Sequence, residues 1–388
     1  MPKILYITTE DRFFLSHIKE RAEHASNNGF KIAVAAKKTQ EKYVREIESC
    51  GFEFFDTQVE RQSLGPITQL RAIKRLLSIY LKVKPDISHH LGAKAIIYGT
   101  IACKLAASLL RSTKIVNAPI GLGYVYASDT LKAKLLKPIL TVLYHFTLNP
   151  TNSEAIFENP DDLEYFVKIK ALRRENAHCI YGAGVNTKLY APSIQKYPIT
   201  TVVMGARLIK EKGVIEFIKA AQILAEQNVP VNMVLVGEPD YGNPNSISKK
   251  QFENFQQLKF LKCLGYRNDM SEILRQSHIC CLPSFYREGL PRFLIEGACC
   301  GLAIITTDTV GCREVVANNN GFLLSPLDFQ GLALSIKKLV ENPELCDQLG
   351  KRSRTLALKK FDSQLICEQT LNIYKQLIES PKIRGRRQ

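Results

Sequence analysis

Two glutamates separated by seven residues, Glu288 and Glu296, bracket a Gly289-Leu290-Pro291 turn in the run FYREGLPRFLIEGACCGLAII. Ionised carboxylates accept several hydrogen bonds at once, so a pair of them suits the hydroxyls of a sugar. The glycine lets backbone amides, those of Gly289 and Leu290, come close to a phosphate or a sugar. Residues 291–300 read as a helix, which holds Glu296 within about two turns of that loop. The spacing alone fits a helix-start glutamate and a surface glutamate equally well. The Gly-Leu-Pro turn, with an apolar strand on either side, favours a binding site.

Upstream, the run GARLIKEKG at 205–213 directly follows the apolar TVVM and carries Arg207 and Lys212. A forked guanidinium and an ammonium on a loop that opens a helix suit a diphosphate, with the helix dipole adding to them. A solvated Lys-rich helix start gives the same pattern, so this signal is weak by itself. In LGYRNDM, Gly265 to Arg267 are candidates to line a nucleobase pocket, and Asp269 is expected to cap the next helix.

The elements that hold these residues form two similar series. LYIT, KIAVAA, FEFFDTQV, DISHH, KIVNAPI and AIFENP are short apolar runs separated by helical patterns, and TTVVMGA restarts the rhythm through VNMVLVGEP, KFLKCLGY, HICCLPSF, LAIITTDTVG and GFLLSP. Such alternation predicts α/β architecture with parallel sheets, here two doubly wound Rossmann-like domains facing across a cleft. Ligands of open sheets sit outside the carboxyl ends of the strands. The break is placed near residues 190–197, where two prolines bracket a polar stretch. The expected division is 1–190, 191–365, a helix over 366–380 crossing back to the first domain, and a basic tail at 381–388.

With 388 residues, 45% hydrophobic and 23% charged, the chain has the mix of an ordinary globular protein with room for two cores. Its eleven cysteines contain no C-x-x-C pair, and the doublets Cys280-Cys281 and Cys299-Cys300 lie in apolar runs, which reads as buried reduced thiols. The first residues lack the pattern of a signal peptide, and no run is long and apolar enough for a membrane span. No Asp-x-Asp or His/Cys cluster has metal-ligand spacing, so no metal is expected. The net charge of +16 is uneven: residues 61–153 hold thirteen Lys or Arg and two acids, Asp86 and Asp129. Such a block calls for an anionic partner, although a solvated basic face is the plainer alternative. The segments 66–84 and 131–146 are basic and amphipathic, either as ordinary packed helices or as membrane-surface elements. No nucleic-acid module is visible, so nucleic acid is not the expected partner. The first strand also lacks the G-x-x-G-x-x-G that a nucleotide-sugar epimerase would carry.

From Gly205-Ala206-Arg207-Leu208 and Lys212-Gly213, through Leu282-Pro283-Ser284, Glu288-Gly289-Leu290-Pro291 and Glu296, to Asp308, Gly311-Cys312-Arg313-Glu314 and Gly321-Phe322-Leu323, the chain resembles glycosyltransferase family 4, retaining enzymes of the GT-B fold. Its first half is similar to bacterial transferases that assemble glycans on polyprenyl carriers. The residues are Phe13-Phe14-Leu15-Ser16-His17, Lys94, Tyr98-Gly99, Gly121-Leu122-Gly123-Tyr124-Val125, Asn159-Pro160-Asp161-Asp162 and Gly182-Ala183-Gly184-Val185-Asn186.

The resemblance implies a retaining, metal-independent transferase moving a sugar from a nucleotide sugar, expected to be a UDP-sugar, to a glycan or polyprenyl-diphosphate-linked acceptor. Arg207 and Lys212 would hold the donor diphosphate, Glu288 the sugar hydroxyls and Glu296 the ribose, with Gly289 and Leu290 steadying the sugar or phosphate. The chemistry falls to Glu288, Arg207 and Lys212, with front-face attack assisted by the leaving phosphate. His89 and His90, at the end of a first-domain strand, are candidates to contact the donor sugar, and equally structural histidines. The expected location is cytoplasmic, on the anionic inner face of the plasma membrane. A non-catalytic nucleotide-sugar-binding protein or a nucleic-acid-binding protein is the alternative. Two departures stand out: the first strand lacks the double-glycine loop of many relatives, and Gly297 stands where alanine is usual, a change expected to be harmless.

Overall fold

A computed structural model describes residues 1–59, 65–109, 113–121, 125–126, 130–317 and 319–379. The expected basic tail at 381–388 lies outside the described residues, as do Leu122, Gly123 and Tyr124 of the first-half motif and Arg61, Arg111 and Asp129 of the basic block. The chain divides into two compact units, Met1–Ala183 with the stretch from Leu365, and Gly184–Gln364.

The first unit is built on seven parallel strands: β1 (Lys3–Glu10), β2 (Lys31–Lys37), β3 (Glu53–Asp56), β4 (Ile87–Leu91), β5 (Lys114–Ala118), β6 (Ser153–Phe157) and β7 (Ala177–Cys179). Their order is β3-β2-β1-β4-β5-β6-β7. Consecutive apolar residues such as Ile4, Leu5, Tyr6 and Ile7 are all buried, because helices cover both faces of a parallel sheet. The helix Ser363–Glu379 returns the chain to this unit, where Ile366, Leu371 and Tyr374 share a core with Ile4, Tyr6 and Phe14.

One helix of this unit is only partly covered. Leu131–Leu148 starts at Thr130, whose side chain accepts a hydrogen bond from the Ala133 amide. It buries Ala133, Tyr144 and Leu148, while Leu131, Leu135, Ile139, Val142 and Phe146 remain 54–75% exposed. Helical periodicity places these five residues along one face.

The second unit has six parallel strands: β8 (Thr201–Gly205), β9 (Asn232–Val236), β10 (Lys262–Cys263), β11 (Ile279–Leu282), β12 (Ala303–Thr307) and β13 (Gly321–Leu324). They are ordered β10-β9-β8-β11-β12-β13. This unit begins at Gly184, ahead of the proline-bracketed stretch that suggested a break. The Val185 amide donates to the Phe361 carbonyl at 2.9 Å, and Arg354 donates to the carbonyls of Thr187 (3.0 Å) and Tyr190 (2.9 Å). Those bonds fasten residues 185–190 to the second unit, a link no local composition reveals.

Candidate active site

The strand order of the second sheet reverses between β8 and β11, the first strand of the unit and the one that starts its other wing. At such a switch point the loops leaving two adjacent strands diverge and open a crevice beyond their carboxyl ends. The loop after β8 carries Arg207 and Lys212, and the loop after β11 carries Ser284 and Glu288. Strand order therefore joins two motifs far apart in sequence.

The junction is tight. Lys210–Lys212 forms a 3-10 turn that ends at Gly213, whose φ of +79° favours glycine. A side chain at Gly213 would strike the Pro283 carbonyl. The Glu211 carbonyl accepts hydrogen bonds from the Phe285 amide and the Ser284 hydroxyl, each at 3.0 Å. The loop after β12 presses from the other side: the Glu288 amide donates to the Val310 carbonyl at 3.1 Å, and a Cβ on Gly311 would lie 2.5 Å from the Gly289 carbonyl oxygen.

Within this frame Lys212 Nζ lies 2.5 Å from Glu288 Oε1, with side chains only 18% and 15% exposed. The Ser284 hydroxyl is a further 3.1 Å neighbour of the same carboxylate oxygen. An ammonium has three donors and a carboxylate about four acceptor positions, so both partners keep capacity for a ligand. Gly289 and Leu290 occupy the turn between Glu288 and the helix Arg292–Cys299, where Pro291 stands at the N-cap.

Glu296 sits in that helix and is buried. Burial holds its carboxyl above the usual carboxylate range, opposed by the charge and hydrogen bond of Arg292 and by the Tyr190 hydroxyl. Arg292 Nε donates to Glu296 Oε1 at 2.9 Å. Arg292 and Tyr190 were not singled out from the sequence. Arg292 had a signal, since residues four apart share a helix face. Tyr190 had none, being far away in the chain. Gly297 is also explained: a methyl there would collide with Cys280 Sγ, so an alanine would not fit beside this cysteine.

The remaining candidates are placed elsewhere. Arg207 Nη1 pairs with Asp240 Oδ2 at 2.8 Å, on the loop after β9, instead of meeting Lys212. Arg267 lies beyond the edge strand β10 and pairs with Asp269, Nε to Oδ1 at 2.8 Å. Asp269 does occupy the N-cap position of Met270–Gln276, but its side chain makes no cap bond because Arg267 claims it.

His90 requires a correction. It is fully buried inside the first unit, 2.7 Å from the Tyr80 hydroxyl, 2.9 Å from Ser88 Oγ and 2.8 Å from Asn117 Oδ1. The strand is parallel and covered on both faces, so alternating side chains enter helix-covered core. A side chain on Gly99 would run into its ring. Burial lowers its pKa to about 4. His89 is likewise buried, 2.6 Å from the Tyr374 hydroxyl. Both are core groups, not donor contacts.

Residues 192–356 match the family described as Glycosyl transferases group 1, and residues 3–156 match Glycosyl transferase 4-like. The chain is 28% identical over 357 residues to the N,N'-diacetylbacillosaminyl-diphospho-undecaprenol alpha-1,3-N-acetylgalactosaminyltransferase of Campylobacter jejuni, covering 88% of this chain and 90% of that protein. It is 25% identical over 327 residues to the UDP-Gal:alpha-D-GlcNAc-diphosphoundecaprenol alpha-1,3-galactosyltransferase of Escherichia coli, covering 80% and 81%. Among solved structures, Anabaena HepE in complex with UDP-glucose superimposes with a TM-score of 0.75 at 20% identity, covering 97% of this chain and 100% of that one. A sucrose-phosphate synthase from Thermosynechococcus elongatus gives 0.78 at 17% identity, covering 98% and 100%. The fold class read from the sequence, two doubly wound Rossmann-like domains of GT-B type, is the one observed.

Proposed function

We propose that this chain, whose two halves match the Glycosyl transferases group 1 and Glycosyl transferase 4-like families, moves a sugar from a UDP-sugar to a sugar carried on a polyprenyl diphosphate, retaining the anomeric configuration. The observation that carries the reading is the Lys212–Glu288 pair at the switch point, beside the helix that buries Glu296. The two relatives described above are named as transferases acting on diphospho-undecaprenol acceptors, and one of them as using UDP-Gal.

In this reading Lys212 turns one of its donors to the leaving diphosphate, where negative charge grows as the glycosidic bond lengthens. Arg207 joins it by exchanging Asp240 for phosphate, a small cost because that pair is exposed. Preorganised positive charge at the leaving group is the largest contribution in many such reactions. Glu288 accepts hydrogen bonds from the transferred sugar, and Glu296, held by Arg292 and Tyr190, accepts from the ribose. No metal enters this scheme.

The acceptor's carrier fixes where the enzyme works. Among the described residues no helix is long and apolar enough to cross a membrane. The exposed apolar face of Leu131–Leu148, with Lys134 and Lys137 on the same helix, has the make-up of an element lying in an anionic lipid surface.

The test is a panel of UDP- and GDP-sugars with a short-chain polyprenyl-diphosphate sugar, with and without EDTA, the product's anomeric coupling being read by proton NMR. Consumption of one UDP-sugar to an α-linked product that withstands EDTA is expected. Tight donor binding with no turnover on any acceptor would leave a binding protein. A requirement for magnesium or manganese would overturn the metal-free scheme.

A further inference from the structure

The buried carboxylate of Glu296 is held by groups outside the motif that carries it. It accepts from Arg292 Nε, four residues earlier on the same helix, and from the Tyr190 hydroxyl, far upstream in the chain. Tyr190 is only 9% exposed, so packing fixes its ring and its hydroxyl has a single proton to give. A carboxylate offers about four acceptor positions, and these two donors leave about two. That remainder matches the two neighbouring hydroxyls of a ribose.

Tyr190 is itself fastened by Arg354, on the helix Pro343–Lys360. The guanidinium spreads over three carbonyls: Nη1 donates to Tyr190 at 2.9 Å and to Cys299 at 2.7 Å, and Nη2 to Thr187 at 3.0 Å. Cys299 is the last residue of the helix that carries Glu296. Carbonyls at a helix end lack intrahelical partners, and a cation there also meets the negative end of the dipole. One side chain thus joins the end of that helix to residues 187–190. An ammonium, a compact point charge, would not span the same three acceptors. Close packing aims the fork. One turn before Arg354, on the same face, stands Gly350, where a side chain would strike the Gly301 carbonyl. A Cβ on Gly301 would in turn lie 3.2 Å from Pro192 Cγ. The three segments therefore meet with little room to slide.

We propose that Tyr190 and Arg354 are positioning residues of the donor site: Arg354 locks residues 187–190 onto the end of the helix Arg292–Cys299, and Tyr190 sets the orientation of Glu296 toward a ribose diol. The ribose rests on the functional reading above, whereas the lock stands on the hydrogen bonds themselves. Both residues act through Glu296. The Tyr190 hydrogen bond also favours the ionised carboxylate, as Arg292 does, against the burial that raises it. The other titratable groups around Glu296 are Cys280 on β11 and Cys299 and Cys300 at the helix end, thiols that burial pushes up and keeps neutral. Removing the Tyr190 hydroxyl should therefore raise the Glu296 carboxyl further, and donor binding should be lost at a higher pH on acidification.

Calorimetric titration of the full chain with UDP and with 2′-deoxy-UDP tests the proposal. Wild type should prefer UDP by about tenfold or more, the worth of a hydrogen bond to a charged group. Tyr190→Phe removes a single oxygen and should weaken UDP binding about two- to tenfold. Its preference over the deoxy nucleotide should shrink, and its acid limb should move up in pH. Arg354→Met should act in the same direction, and Arg354→Lys should recover only part. Combining Tyr190→Phe with Arg354→Met should be no worse than Arg354→Met alone, because both act through one carboxylate. In turnover the loss should fall on donor KM, with kcat within about twofold. A lower unfolding midpoint with unchanged nucleotide preference and acid limb is what a merely structural role gives, and it overturns the proposal. Additive losses in the double variant overturn the lock. Where Arg354→Met does not fold, Tyr190→Phe and Arg354→Lys decide. Absence of UDP binding in wild type removes the functional reading, and equal affinity for the two nucleotides removes the ribose assignment. Unaltered UDP binding by Tyr190→Phe removes the positioning role alone.

Discussion

Replacing Lys212 by methionine separates two roles that one ion pair combines. The pair is 2.5 Å long with both side chains under one-fifth exposed. At an effective dielectric constant of about 20 the bare attraction is about 7 kcal/mol. Desolvation offsets most of it. Exposed pairs net about 0–1 kcal/mol and breaking a buried pair costs about 3–5, so this one should lose about 2 kcal/mol. Urea unfolding of Lys212→Met should show that loss, with Ser284 remaining near the stranded carboxylate. Adding Glu288→Gln removes the stranded charge and should recover most of the stability. Turnover should follow a different course. Lys212→Met is expected to lose about 10²–10³ in kcat through missing charge at the leaving diphosphate. The double variant should remain at least as slow. If its activity returns together with its stability, Lys212 only neutralises Glu288, and the diphosphate is stabilised elsewhere.

Arg207→Ala should lower kcat by less than Lys212→Met and leave the unfolding midpoint unchanged, because its partner Asp240 is on the surface. Glu296→Gln should weaken donor binding by about 1–3 kcal/mol in calorimetry, the loss of a charged acceptor. In wild type, donor affinity should fall on acidification at a pH above that of an ordinary glutamate, because burial raises this carboxyl. The first unit should lose stability in acid: His90 drops from 6.5 to about 4 on folding, so its contribution is present above pH 6.5 and lost as pH falls toward 4. That is about 3 kcal/mol at most, and His90→Asn should flatten the pH profile of the unfolding midpoint. Sedimentation with anionic vesicles should decline with added salt, and Leu135→Asp with Ile139→Asp should abolish it, while donor affinity stays unchanged. Retention of vesicle binding by that double variant would assign the exposed face to another partner.

Element type was legible in the sequence because parallel strands buried on both faces are written as unbroken apolar runs. Lys212 and Glu288 could be singled out as candidates because each belongs to a motif that closes a strand. Their meeting could not be, since it depends on β8 and β11 being neighbours, a consequence of sheet order. For the two histidines the structural reading is the one observed, for a related reason. DISHH looks like a strand ending in polar groups, yet β4 runs on to Leu91 and both rings enter core, where Tyr80, Ser88 and Asn117 meet His90 and the Tyr374 hydroxyl meets His89 Nδ1, with His89 Nε2 buried without a partner among the described residues. A buried polar group is recognised by its partners, and those lie on other elements.

The second unit pairs its candidate cations one by one: Lys212 with Glu288, Arg207 with Asp240, Arg292 with Glu296 and Arg267 with Asp269. At the switch point Lys212 and Arg292 are held by Glu288 and Glu296, so a bare phosphate must displace a carboxylate to bind there. A nucleotide sugar does better because it brings hydroxyls together with its diphosphate. Each carboxylate set aside by a phosphate can then accept from a sugar or ribose hydroxyl, and no charge is stranded. Discrimination between a whole donor and its phosphate fragment would follow from exchange of partners, not from raw positive charge. A UDP-sugar should therefore bind the Lys212–Glu288 site more tightly than inorganic pyrophosphate does, and equal affinities in calorimetry would refute the exchange of partners.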